Sequence, residues 1–69
     1  MEGIWIRSQN RRCLILARYL AAVNKEIIAF AEECDPIVGK YTPERAIEIL
    51  DEIQKAIENG QKVFEMPEA

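Results

Sequence analysis

Sixty-nine residues, 7.9 kDa, suffice for one small domain and exclude a multi-domain enzyme. Apolar types make up 49% of the chain and charged types 30%, the balance of a soluble globular protein rather than a disordered one. The net charge is -3, no histidine is present to act as general base or metal ligand, and no apolar run approaches the ~20 residues a membrane span needs.

Gly3–Gln9 (GIWIRSQ) is rich in β-branched and aromatic residues and reads as the first strand. Asn10–Arg11 is turn-like, although Asn-Arg is a weaker hairpin signal than Asn-Gly. Arg12–Val23 (RCLILARYLAAV) begins as an apolar run suited to a buried strand, while its second half holds good helix formers. Asn24–Lys25 is the next turn candidate, and Glu26–Glu33 (EIIAFAEE) again fits strand or helix. Periodicity leaves residues 12–33 open between two helices and two long strands. The strand reading is preferred. Asn10 and Asn24 fall where hairpin turns belong, and a lone Ile4–Ile6 strand needs a partner for its backbone groups. Asp35–Pro36 interrupts the chain, because the residue before proline is pushed out of the helical region, and Ile37–Tyr41 (IVGKY) reads as a short strand.

A helix over 43–58 is the clearest element. Thr42 suits the N-cap, Pro43 the first helical position, and Glu44 the positive end of the helix dipole. Ala46, Ile49, Leu50, Ile53, Ala56 and Ile57 make one apolar stripe. Glu44, Glu48, Asp51, Glu52, Lys55 and Glu58 fill the other side, with Asp51 and Lys55 spaced for an i,i+4 pair. Asn59 and Gly60 tolerate the left-handed backbone that ends a helix. Lys62–Met66 (KVFEM) reads as a last strand, closed by Pro67. The expected fold is therefore α+β in a single domain, residues 1–69. It has an antiparallel β-meander of about four strands, a helix at about 43–58 packed on one face, and a short last strand at about 62–66.

A chain this short buries only roughly 60% of the surface its unfolded form exposes, so its stability is expected to be marginal. Met1–Arg7 carries no basic region followed by an apolar stretch, hence no secretory signal is read there and the cytoplasm is the expected compartment. Cys13 and Cys34 are then read as free, buried thiols in preference to a disulfide. Charge is uneven along the chain. Residues 1–25 hold Arg7, Arg11, Arg12, Arg18 and Lys25 against Glu2, a balance of +4, whereas residues 26–69 hold four basic and eleven acidic groups, a balance of -7. Such asymmetry marks either an interaction surface or two halves that neutralise each other in the fold.

The opening Trp5-Ile6-Arg7-Ser8-Gln9 resembles the start of small proteins found on phages and other mobile elements of Gram-positive bacteria. Gly39-Lys40-Tyr41, then Glu44-Arg45-Ala46 and Ile49-Leu50-Asp51-Glu52-Ile53-Gln54, look like that family's turn and helix. Phe64-Glu65-Met66-Pro67 looks like its closing segment. The resemblance covers both ends of the chain and is loose over residues 12–35. It implies a mobile-element setting and a β-rich fold with one helix, and it implies no activity.

Three groups of residues come up as candidate sites. Arg7, Arg11 and Arg12 surround the first hairpin turn, with Arg18 farther along the second strand. They could contact phosphates, with Trp5 or Tyr19 stacking on a base, although an acidic chain is a poor nucleic-acid binder and a solvated hairpin tip is the preferred reading. Neither cysteine has a base or cation placed to activate it: Arg12 and Cys13 are strand neighbours that point to opposite faces, and Cys34 stands among Glu32, Glu33 and Asp35, whose charges oppose a thiolate. Glu32, Glu33 and Asp35 could hold a hard cation, and Glu48 with Glu52 could act as an acid–base pair, but a solvated turn and a wet helix face account for them more simply. No catalytic residue, metal site, cofactor or small-molecule substrate is therefore assigned.

Both faces of the expected sheet look apolar. Ile4 and Ile6 oppose Trp5, Leu14 and Leu16 oppose Cys13 and Ile15, and Ile27 opposes Ile28 and Phe30. A sixteen-residue helix, about 24 Å long, shields one face only. The other is expected to expose more apolar surface than a soluble monomer leaves open. Trp5, Ile15, Tyr19, Ile28 and Phe30 are accordingly the expected interface of a self-associating, non-catalytic protein–protein interaction module, a dimer by preference. A nucleic-acid accessory protein using Arg7, Arg11, Arg12 and Arg18 is the alternative. No membrane partner is expected.

Overall fold

The computed structural model describes residues 3–69. Met1 and Glu2, with the Glu2 charge counted above and the first residues of the segment read for a secretory signal, lie outside the described residues. The chain runs β1 (Ile4–Arg7), β2 (Leu14–Ala17), β3 (Tyr19–Val23), β4 (Glu26–Phe30), β5 (Ile37–Lys40), α1 (Pro43–Glu58), β6 (Val63–Glu65). This is the expected α+β fold, with strands, one helix and a last short strand in the expected order.

The strands divide over two sheets, ordered β2–β1–β6 and β3–β4–β5. β6 lies parallel to β1, and the other neighbours are antiparallel. The long strand expected over residues 12–23 is broken at Arg18, the single residue between β2 and β3. Tyr19 pairs with Phe30, and the Arg18 N–H also donates to the Phe30 carbonyl at 2.8 Å. Two residues therefore oppose one, the geometry of a β-bulge, which bends the strand and shifts its alternation by one. Ala17 is buried, Arg18 and Tyr19 are both exposed, and Leu20 packs on the core. At this corner the chain passes from one sheet to the other.

A second seam joins the sheets at Gln9. Its main-chain N–H donates to the Val38 carbonyl at 2.7 Å, and its side chain pairs with Lys40, accepting from the Lys40 N–H at 2.9 Å and donating to the Lys40 carbonyl at 3.3 Å. The first hairpin loop runs over residues 8–13 rather than turning at Asn10–Arg11 alone. Ser8 is buried and accepts from the Cys13 N–H, Asn10 Oδ1 accepts from the Ser8 hydroxyl and the Arg12 N–H, and Arg11 takes a left-handed backbone, φ 65°. Asn24 does the same, φ 55°, in the two-residue turn between β3 and β4.

The core lies between the two sheets and the helix. Ile4, Ile6, Ile15 and Ala17 enter it from the first sheet, Ile27, Ala29 and Val38 from the second, and Ala46, Ile49, Ile53 and Ala56 from α1. The helix lies closest to β3. Leu50 is only half-buried and Ile57 is exposed, so the buried stripe is narrower than the sequence pattern. Thr42 caps the helix through the Arg45 N–H, as expected. At the other end Gly60 alone is left-handed, φ 76°, and Gln61 and Gly60 donate back to Ala56 and Ile57, a Schellman closure.

Tyr41 is buried and folds back over Gly39, where a Cβ would meet its ring, with the hydroxyl oxygen 2.7 Å away. Its hydroxyl donates to the Pro67 carbonyl at 2.6 Å. The Tyr41 ring leaves a Cβ at Gly39 no room, so Gly39→Ala is expected to cost about 1–3 kcal/mol through overpacking. Urea unfolding of the variant beside the parent protein measures this, and an unchanged midpoint would show that the ring moves aside freely.

Candidate interaction surface

The bulge at Arg18 sorts the five expected interface residues. Unbroken alternation along residues 12–23 puts Ile15 and Tyr19 on one face. With the strand shifted at Arg18 they part: Ile15, 9% exposed, points into the core and leaves the interface, while Tyr19, 71% exposed, points out. In the second sheet the cross-strand pairs Tyr19–Phe30 and Ala21–Ile28, with Ile37 beyond Ile28, carry the outward face, because directly paired residues share a side. Ile28 and Phe30 are half-buried there, and Ile37 and Val23 exposed. Charge returns only at its end, with Glu26 opposite Lys40.

Trp5 belongs to the outer face of the first sheet, in a row formed by Leu16, Trp5 and Val63 on three adjacent strands. All three are exposed, Trp5 at 42%. Leu14, Arg7 and Glu65 form the next row. The two outer faces meet at Arg18, so the apolar surface runs as a belt from Val63 and Trp5 through Leu16, round the corner, to Tyr19 and Phe30. An open recess lies beside this corner, lined by Trp5, Ile15, Leu16 and Arg18 and walled by the Ala31–Cys34 turn and by Lys62.

The arginines do not form one surface. Arg7, Arg11 and Arg12 gather at the 8–13 loop, where Arg7 Nε donates to the Arg11 carbonyl and Arg11 pairs with Glu65 at 2.9 Å. Arg18 stands at the opposite end of β2 and pairs with Glu32 at 3.4 Å. Both ion pairs are more than half exposed and add little to stability. Arg12 makes no ion pair among the described residues.

The remaining candidates separate in the same way. Cys13 is half-buried, and Cys34, expected to be buried, is exposed, because it ends the tight turn closed by the Ala31 N–H and the Cys34 carbonyl. Both thiols are free. Glu32, Glu33 and Asp35 are exposed, and no group of three metal-ligating side chains occurs among the described residues. Glu48 and Glu52 are joined by Arg45, which bonds them at 3.2 and 2.9 Å. Donating to Glu52 raises the Arg45 guanidinium above its ordinary value, desolvation partly offsets this, and donating to Glu48 adds to the rise. Asp51 and Lys55 form no ion pair within the helix. No helix among the described residues is long and apolar enough to cross a membrane.

Sequence reasoning missed the tail. Residues 66–69 are held by four residues: the Met66 N–H donates to the Arg7 carbonyl, Tyr41 holds Pro67, Gln9 Nε2 donates to the Glu68 carbonyl, and Arg45 Nε donates to the main-chain oxygen of Ala69. Only the lone aromatic beside Gly39 hinted at this strap. Compared with protein-family models, curated proteins and solved structures, the chain matches none.

Burial raises the Tyr41 phenol above its ordinary value, partly offset by the nearby Arg45 guanidinium. A folded value above the unfolded one means the fold favours the neutral phenol. The stability it contributes is full below pH ~10 and is lost as pH rises through the folded value. In a Tyr19→Phe background, where Tyr41 is the only tyrosine, phenolate absorbance is expected to appear together with alkaline loss of structure. Ionisation completed in a protein with unchanged circular dichroism would refute the coupling.

Proposed function

We propose that this chain is a small non-catalytic protein–protein interaction module that associates with a second copy of itself. The observation that carries the reading is the apolar belt: Trp5, Leu16 and Val63 on one sheet and Tyr19, Phe30, Ile28 and Ile37 on the other, with no layer of the described residues folded over them. A soluble monomer seldom leaves so continuous an apolar surface in water. Trp5, Tyr19, Ile28 and Phe30 are the contact residues of the proposal. The likeness of Trp5–Gln9 and Phe64–Pro67 to small phage and mobile-element proteins supports that setting, and a reducing cytoplasm suits the two free thiols.

A nucleic-acid accessory role is the second reading. What favours it is the collection of Arg7, Arg11 and Arg12 at one loop, with Arg12 unpaired among the described residues. Against it, Arg11 and Arg18 already hold carboxylates.

Sedimentation over rising concentration is expected to show a species near twice 7.9 kDa, and Tyr19→Lys is expected to weaken it while leaving the thermal transition in place. A single 7.9 kDa species at millimolar concentration would overturn the association reading. Binding to single-stranded or duplex DNA that weakens steeply with salt would favour the second.

A further inference from the structure

The four outer strand edges of the two sheets are treated differently. Gln9 satisfies β5 with a main-chain N–H and both ends of its side-chain amide. Gln61 Nε2 donates to the Val63 carbonyl on β6, and α1 lies along β3. Among the described residues β2 has no such cover. Its register fixes which groups face outward. The Ser8 N–H donates to the Cys13 carbonyl, so hydrogen-bonded pairs recur at Ile6–Ile15 and Ile4–Ala17. Consistently, the Trp5 N–H turns away from β2, donating to Lys62 on the β6 side. The N–H and C=O groups of Leu14 and Leu16 therefore point away from β1, and among the described residues β1 is the only strand with which β2 pairs. These two residues are also exposed apolar side chains, Leu14 at 52% and Leu16 at 37%. A flat apolar edge of this kind is a template for another strand.

We infer that the free edge of β2 pairs antiparallel with β2 of a second copy, Leu14 opposite Leu16 and Leu16 opposite Leu14, joining the two first sheets into one. This rests on the self-association reading and adds to the apolar belt a strand-edge contact on the first sheet. Charge selects the partner. The register sets Arg12 of each copy beside Arg18 of the other, and two arginines alone would repel. But Arg18 holds Glu32, and Glu33 lines the same recess. Arg12, which like Arg7 makes no ion pair among the described residues, arrives where carboxylates are available. The two-fold axis repeats the contact, so the basic 8–13 loop of each copy meets the acidic 31–34 turn of the other. The Leu14 and Leu16 side chains extend the Trp5 row across the junction. An acidic extended peptide from another protein would meet Glu32 and Glu33 at one end and lacks this fit.

The test is sedimentation of four variants beside the parent protein. Leu16→Pro removes an N–H that the fold itself does not use and is expected to abolish the dimer while keeping the circular-dichroism spectrum. Arg12→Glu and Glu33→Arg are each expected to raise the dissociation constant about threefold to tenfold, and the double variant to restore it. A dimer that persists in Leu16→Pro, or charge variants that do not compensate, would overturn the β2 contact while leaving self-association standing. A parent protein that stays monomeric at every concentration would overturn both. Should Leu16→Pro fail to fold, the charge exchange decides alone.

Discussion

The shape of this protein turns on two residues of one strand facing one residue of the next, Arg18 and Tyr19 against Phe30. Without that bulge, residues 12–23 would run as one strand and the chain would build a single sheet with one helix beneath it. With it, the strand bends and its side chains change phase. Ile15 and Ala17 then face the same core as Leu20, Ile27 and Ala29. A chain that can bury only roughly 60% of its surface gains from this, since two small sheets and a helix enclose a core more fully than one layer and a lid. The corner costs a continuous ladder and leaves two consecutive side chains, Arg18 and Tyr19, in water.

Closing two sheets around a core leaves strand edges at the rims. This chain treats them with side-chain amides. The Gln9 amide presents a donor and an acceptor to Lys40, as a neighbouring peptide group would, and so ends the second sheet without adding a strand. The Gln61 amide does half as much for Val63. The same Gln9 amide also reaches the carbonyl of Glu68, tying the tail into the seam. Tyr41 works alongside it. Its ring occupies the space a side chain at position 39 would need, and its hydroxyl holds Pro67. The junction between strand and helix and the last residues of the chain thus share one small set of polar contacts.

Much of this was legible in the residues. The helix carried its own signals at both ends, Thr42 and Pro43 before it and Gly60 after it, and these are local chemistry that tertiary packing did not override. Strands in the ambiguous 12–33 region followed from asparagines at turn positions and from the need of β1 for a partner. What was not legible was the phase change. Alternation predicts that Ile15 and Tyr19 share a face, and only the three-residue spacing of Ala17 and Leu20 betrays the break. That spacing is equally a helical signal, which is why the segment read both ways. The Gln9 seam was invisible for a different reason: it joins residues 31 apart, and no periodicity encodes a side-chain amide acting as a strand.

The charge asymmetry of the sequence takes on a definite form in the fold. Neutralisation within the chain accounts for part of it, because Arg11 meets Glu65, Arg18 meets Glu32 and Arg45 meets Glu48 and Glu52. The remainder is spatially ordered. Positive charge is concentrated at the 8–13 loop and negative charge at the 31–35 turn, at the two ends of β2. A surface basic at one end, acidic at the other and apolar between is complementary to itself when turned through half a revolution, since each end then meets its opposite. The same arrangement on a larger protein would be one patch among many. On a chain of this size it flanks the strand edge that the described residues leave uncovered, and so charge and unpaired backbone groups point to the same contact.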